Sequence, residues 1–208
     1  MVAGAGLAGA GWELSHGGSP RHLASATRPG PDTGPSRPAS RPSAARRAGA
    51  RQAGSVVWRF PTGGLVVGIA LAAGRVFAGG TDGKVHALRA SDGTSLWTFP
   101  TGTGGATGIA VAGGVVYAGS NDNKVLALRA SNGTRLWAFP AGGMVQSGIA
   151  VAGGAVYAGT SDGQVLALRA SDGRPLWSFT TDGPVESQIA VARGIAYAGS
   201  GNVYALRG

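Results

Sequence analysis

The sequence predicts an all-β protein, a β-propeller of four-stranded antiparallel blades, and three observations lead to that prediction. The chain repeats itself every 40 residues, each repeat contains several Gly-rich turns, and the runs between the turns are apolar on both faces. A sheet that is apolar on both faces must be covered on both sides. Blades that stack on one another around an axis provide that cover. The sequence holds four blades' worth of strands.

The period is set by residues that recur at the same place in every copy. The most obvious recurrence is an eleven-residue stretch: ALRASDGTSLW at 87–97, ALRASNGTRLW at 127–137 and ALRASDGRPLW at 167–177. The three complete copies and the final copy, which is two residues shorter, are 64–100, 104–140, 144–180 and 184–207. Repeated supersecondary units of this kind bury their apolar surface against their neighbours.

Each copy is predicted to contain four short strands, which in the first copy are 66–71, 75–79, 84–89 and 95–99. Asp-Gly and Asn-Gly between apolar runs favour tight hairpin turns, because Gly and Asn accept positive φ. The stretch VVWRF at 56–60 matches the fourth strand of a copy, whereas the final copy supplies only three strands. We therefore expect one blade to be shared between the chain ends, which would remove the exposed sheet edges.

Residues 1–54 differ from the rest of the chain in composition. They hold six of the 11 Pro and seven Arg, against only Glu13 and Asp32, and no aromatic residue follows Trp12. Such a segment cannot bury enough apolar surface to offset its chain entropy. The sequence therefore predicts a disordered basic tail at 1–54 and propeller repeats at 55–208. Basic charge can attract nucleic acid or anionic surfaces, but no aromatic residues are interleaved with these Arg as in single-strand binders.

The repeat resembles that of PQQ-like (pyrroloquinoline-quinone-type) propellers, whose tryptophan-docking motif runs Ala-x-Asp-x-x-x-Gly-x-x-x-Trp. The matching residues are Ala87, Gly93 and Trp97, then Ala127, Gly133 and Trp137, then Ala167, Gly173 and Trp177. The resemblance covers about 55–208 and implies that the tryptophans dock neighbouring blades, namely Trp58, Trp97, Trp137 and Trp177. The resemblance also implies an envelope location. The PQQ-like family includes quinoprotein dehydrogenases, an outer-membrane-assembly lipoprotein and sensor domains. One fold of this kind hosts many functions.

One departure from the motif is systematic. Its Asp is replaced in every copy by arginine: Arg89, Arg129, Arg169 and Arg207. The local polar residue appears three positions later instead, as Asp92, Asn132 and Asp172. Two interpretations stay open. Either the arginine stem covers the neighbouring tryptophan, or the replacement is simple drift between duplicated copies.

The sequence favours a non-enzymatic module over a catalyst. It has no Cys, and none of its three His residues forms a pair at metal-ligand spacing. We therefore expect no catalytic residue, no metal site and no cofactor; PQQ is implied by the resemblance only. A remnant of a PQQ-dependent dehydrogenase is the first alternative function. A nucleic-acid or anionic-surface binder driven by the tail is the second.

Candidate binding residues are those at which the copies disagree, because the shared residues are needed for stacking. Two adjacent positions that open the innermost strand become polar in later copies, as Gln146, Ser147, Glu186 and Ser187. His86 stands where other copies have Leu126, Leu166 and Tyr204. We predict that the polar cluster near one channel mouth, with His86, binds a ligand or partner.

A protein partner is expected from the resemblance to scaffold and sensor propellers, although the sequence does not identify it. Two assemblies are consistent with the strand count: the chain closes alone through the shared blade, or two chains pair as half-rings through 56–60 and 202–207. A third possibility is that the sequence is a fragment of a longer protein. No run approaches the ~18 apolar residues of a spanning helix, and residues 1–18 lack the basic start of a signal peptide.

Overall fold

The computed structural model describes residues 53–207. These residues form strands and no helix, in four antiparallel sheets, so the predicted all-β propeller class is confirmed. Within them there is no helix of the length and apolarity that crossing a membrane requires. The predicted tail at 1–54 lies outside the described residues except for its last two positions.

Each sheet corresponds to one sequence copy, and we call the four sheets units 1 to 4. Unit 1 contains β1 (Val66–Ala72), β2 (Arg75–Gly80), β3 (Lys84–Arg89) and β4 (Ser95–Pro100). Unit 2 contains β5 (Ala106–Ala112), β6 (Val115–Ser120), β7 (Lys124–Arg129) and β8 (Arg135–Pro140). Unit 3 contains β9 (Ala150–Ala152), β10 (Ala155–Gly159), β11 (Gln164–Arg169) and β12 (Pro175–Thr180). Unit 4 contains β13 (Ala190–Ala192), β14 (Ile195–Gly199) and β15 (Val203–Arg207).

Within every unit, consecutive strands are neighbours, as in a meander. The turn between the third and fourth strands depends on glycine: Gly93, Gly133 and Gly173 have φ of 72°, 74° and 74°. L-residues with a Cβ rarely adopt that left-handed conformation. The fourth strand begins with a bulge in all three complete units, after which its tryptophan lies opposite Ala87, Ala127 or Ala167.

The core lies between the units, because each sheet is apolar on both faces. Phe77, Val85 and Ala87 of unit 1 pack against Val116 and Leu128 of unit 2. We call the face formed by Phe77, Val85, Ala87 and their counterparts the front face of a unit, and the opposite face its back face. Front faces pack against the following back face at the junctions of units 1–2, 2–3 and 3–4. All three front-face residues of units 1 to 3 are buried.

The predicted sharing of one blade is not formed, and this expectation is corrected. Residues 56–60 are not in a strand, and their backbone makes no hydrogen bond to any other part of 53–207. Unit 4 accordingly has three strands. The reason is geometric: side chains hold the segment against unit 1, at the opposite end of the array from β15. Trp58 donates its indole N–H to Ala90 O at 2.9 Å, and Phe60 packs edge-on against His86.

Candidate functional site

The innermost segments of all four units meet around one open cavity of about 380 Å³. The residues that line it come from each unit in turn: Val67, Thr107, Gln146 and Glu186, with Ala106 beside Thr107. The loop residues Thr81, Gly104, Gly105 and Asn121 complete the lining. Each unit therefore contributes to this common space at least one residue from the positions at which the copies disagree.

Local structure explains why units 3 and 4 present polar side chains there. Their innermost strands contain only three residues, β9 and β13, whereas β1 and β5 contain seven. Gln146 and Glu186 consequently precede a strand instead of opening one, which corrects the predicted placement. A single parallel bridge between Gly148 and Gln188 joins these segments.

The two serines of the predicted cluster are occupied by backbone bonds. Ser147 is buried, and its hydroxyl accepts a hydrogen bond from Gly159 N at 2.6 Å and lies 3.2 Å from Gly148 O. Ser187 Oγ likewise accepts from Gly199 N at 3.0 Å and donates to the carbonyl of the same residue. These hydroxyls replace strand-to-strand bonds that the shortened β9 and β13 do not make. Neither serine lines the cavity.

Gln146 and Glu186 do line the cavity, so the structure brings these two predicted residues together. Glu186 is exposed and is the only titratable side chain of the lining. Asn121 also lines the cavity, and its buried Oδ1 has no partner within 53–207. Asn121 was not among the residues predicted from the sequence, and only the Gly-Gly pair at 104–105 indicates that another loop approaches it closely. The site thus offers amide donors and acceptors, one carboxylate and the apolar Val67.

His86 lies elsewhere, on the back face of unit 1. It is buried, and its Nε2 lies 2.8 Å from Asp82 Oδ2, which is equally buried. His86 Nδ1 and Asp82 Oδ1 have no hydrogen-bond partner in the described part of the chain. The ring is covered by Phe60, with the ring centroids 5.5 Å apart. The predicted cluster therefore does not include His86.

The tryptophans occupy the outer rim of the junctions. Trp97 donates its indole N–H to Ala130 O, and Trp137 donates to Ala170 O, both at 3.0 Å. The facing glycine leaves no room for a side chain, because a Cβ at Gly133 would lie 2.7 Å from Trp97 Cε3. Trp177 packs against Tyr157 with centroids 5.9 Å apart. In unit 4 the position equivalent to Ala130 and Ala170 is residue 208, which lies outside the described part of the chain.

Two of the arginines that replace the motif's Asp form local ion pairs. Arg89 Nη1 donates to Asp92 Oδ2 at 3.0 Å, and Arg169 Nη1 to Asp172 Oδ2 at 3.3 Å. Asp92 Oδ1 also accepts Thr94 N at 2.9 Å. That backbone bond, with the Arg89 guanidinium, lowers the pKa of Asp92 to about 2. In units 1 and 3 an Arg–Asp pair thus spans the turn that follows the third strand, while Trp97 and Trp137 keep their docking bonds.

Between residues 53 and 207, no three His, Asp or Glu side chains lie close enough together to hold a metal ion. The chemistry available in the cavity is hydrogen bonding, a single negative charge and apolar contact.

Comparison with known families and structures gives consistent matches. A family model described as outer membrane protein assembly factor BamB matches residues 46–146 and 133–207. No curated protein sequence matches the chain significantly.

Three solved structures illustrate the likeness in fold. The computationally designed Ika4 protein aligns at 16% identity and a TM-score of 0.67, over 74% of this chain and 98% of its own. BamB from Moraxella catarrhalis aligns at 22% identity and a TM-score of 0.60, over 70% of this chain and 47% of its own. The quinohemoprotein alcohol dehydrogenase ADHIIG from Pseudomonas putida HK5 aligns at 18% identity and a TM-score of 0.60, over 69% of this chain and 30% of its own. This chain thus spans about half of the BamB chain and under a third of the dehydrogenase, and these identities show the fold alone.

Proposed function

This chain belongs to the PQQ-like repeat family whose model is described as outer membrane protein assembly factor BamB, and on that premise we propose that it is a non-enzymatic module that holds a protein partner on the cavity at its inner strands. One observation carries the proposal. The copies share most of the residues that stack, but they differ at their innermost segments, where Gln146 and Glu186 line one open cavity. Residues freed from stacking are available for recognition.

The lining suits a polypeptide better than a quinone cofactor. Amides of Gln146 and Asn121 pair well with backbone N–H and C=O groups, and Glu186 favours a basic side chain. PQQ carries several carboxylates and is held with Ca²⁺ in quinoproteins, which requires cations and a set of oxygen ligands. Among residues 53–207, the lining has one carboxylate and no Lys or Arg. These residues do not fit that cofactor, and no redox step is assigned to them.

The proposal is tested with a displayed library of random peptides selected on the full chain. A selected peptide is labelled, and its Kd is measured by fluorescence anisotropy. Glu186→Ala and Gln146→Ala are each expected to weaken binding about tenfold, the effect of about 1.4 kcal/mol. Gln164→Ala is the matched control, because Gln164 bonds to Thr180 Oγ1 on another part of unit 3. Surface changes of this kind alter stability by only about 0.5 kcal/mol, so folding is preserved.

Three results would count against the proposal. If no peptide is recovered, or if Gln164→Ala weakens binding as much as Glu186→Ala, the cavity is not the recognition site. A saturable change in PQQ absorbance in the presence of Ca²⁺ would favour the dehydrogenase remnant instead. Salt-sensitive binding to DNA that disappears on deletion of residues 1–54 would favour the alternative based on the tail.

A further inference from the structure

No segment of residues 53–207 covers the front face of unit 4. Its three front-face residues are Tyr197, Val203 and Ala205, which correspond by strand register to Tyr157, Val165 and Ala167. Tyr197 is 41% exposed and Val203 is 83% exposed, whereas Tyr157 and Val165 are 5% and 0% exposed. A surface of the same composition is therefore packed at every internal junction and open at this end.

The back face of unit 1 is half covered. Its outer part, including His86, lies beneath Trp58 and Phe60. Its inner part is open: Leu65, Ile69 and Leu71 are 60% exposed or more. The counterparts of Ile69 in units 3 and 4, Ile149 and Ile189, are buried against the preceding front face.

The two open faces are complementary, because they are the two sides of one repeated junction. At internal junctions a front-face aromatic, Val and Ala meet a back-face Ile and its neighbours. Unit 4 offers the first set, and unit 1 offers the second. The strand count within residues 53–207 agrees. Unit 4 has three strands there, while residues 56–60 carry the sequence of a fourth strand and dock their tryptophan on unit 1.

We infer that a second copy of this chain covers both faces, head to tail, in a closed ring of two copies. The front face of unit 4 in each copy packs on the back face of unit 1 in the other. Residues 56–60 of one copy then lie beside β15 of its partner and complete that sheet. A head-to-tail contact closes only if the rotation per copy fits. This chain aligns over 47% of the longer BamB chain, so two copies together match that chain in length.

One residue makes this junction differ from the internal ones. Gln188 stands where units 1 to 3 have Gly68, Gly108 and Gly148. A Cβ at Gly68 would lie 2.5 Å from Thr107 O in the next unit. The junction between copies is therefore wider at the axis than the junction of units 1 and 2, and its contact is carried by the front-face and back-face side chains.

Light scattering on the full 208-residue chain at micromolar concentration tests the inference. We expect twice the chain mass of 20.5 kDa. Val203→Asp blocks the front face of unit 4 and Ile69→Asp blocks the back face of unit 1, and each variant alone should have the mass of one chain. Both side chains are largely exposed within a single copy, so neither change should unfold it. Leu176→Asp, at an exposed site on β12, is the matched control and should keep the double mass.

Mixing the two blocked variants provides the decisive measurement. Val203→Asp keeps an intact unit 1, and Ile69→Asp keeps an intact unit 4, so the mixture regains one junction and the double mass. A contact of like faces would not be restored by mixing, and that result would overturn the head-to-tail arrangement. A wild-type mass of one chain, or of more than two, would overturn the two-copy ring. Peptide binding at Glu186 is a separate readout, so either proposal can fail without the other.

Discussion

The outer rim and the inner segments of the same units follow opposite rules. At the rim, the same hydrogen bond occurs three times: the indole Nε1 of Trp58, Trp97 and Trp137 lies 2.9–3.0 Å from a backbone carbonyl oxygen. At the inner segments, equivalent positions bond differently: Thr107 donates to Val145 O in the next unit, whereas Ser147 and Ser187 bond within their own units. The difference teaches that stacking is specified at the rim, which leaves the inner surface free to vary.

The largest expected effect comes from removing a rim contact. Trp137→Ala should lower the free energy of unfolding by about 3–5 kcal/mol, because a large ring is lost from a packed junction. Trp137→Phe keeps most of the ring and removes the N–H bond to Ala170 O, at a cost of about 1 kcal/mol. Ser187→Ala, the inner counterpart, should cost about 1 kcal/mol as well. Urea denaturation measures all three, and equal losses for Trp137→Ala and Ser187→Ala would break the comparison.

A smaller effect is expected at the glycine that faces each tryptophan. Gly133 and Gly113 both have positive φ, of 74° and 56°, so an Ala at either costs about 1–2 kcal/mol in backbone strain. A Cβ at Gly113 would meet nothing, whereas one at Gly133 would collide with Trp97. Gly133→Ala should therefore destabilise the protein by about 1–3 kcal/mol more than Gly113→Ala. Thermal unfolding compares the pair, and indistinguishable melting temperatures would mean that the rim is loosely packed.

The smallest effect concerns pH at the rim turns. The pKa of Asp92 falls from 3.8 to about 2, chiefly through the bond from Thr94 N and then through Arg89. A carboxyl group with a lowered pKa stabilises the fold fully above its ordinary value. That stabilisation is lost as the pH falls through about 2. We therefore expect Asp92→Asn to flatten the dependence of the melting temperature on pH between about 4 and 2.

Unit 2 supplies the matched control for this prediction, because it has Asn132 at the same place. Asn132→Asp should create a pair with Arg129 and steepen the same pH dependence. Parallel pH profiles for wild type, Asp92→Asn and Asn132→Asp would show that the exposed Arg–Asp pairs are energetically silent.

Local features of this fold were predictable from the sequence. Turn glycines and alternating apolar runs define hairpins over a few residues, and the strands of unit 1 end within one residue of the predicted bounds. The site was predictable only in part. Gln146 and Glu186 were found because copies disagree there, but Ser147 and Ser187 also differ for a structural reason, namely the missing bonds of β9 and β13. Differences between copies do not distinguish recognition from local repair.

Two features could not be predicted because they depend on distant parts of the chain. Whether residues 56–60 can pair with β15 of the same chain depends on the sum of the rotations across the three junctions between units, which no single repeat encodes. The burial of His86 beside Asp82 and under Phe60 depends on how the first segment folds back on unit 1. Arg89 and Asp92 are three residues apart, so their ion pair was within reach of sequence reasoning, but the motif directed attention to the tryptophan.

The rim contact described above has a direction: within residues 53–207, Trp58, Trp97 and Trp137 each reach forward to a carbonyl of the following unit. The boundaries of units 1–2 and 2–3 are each specified by one donor and one acceptor that are 33 residues apart. Duplication of any gene segment that encodes 40 residues copies one tryptophan donor and one carbonyl acceptor together. The array can thus grow or shrink by whole modules during evolution without the invention of a new boundary, and only its two terminal surfaces need to be adapted to each new length.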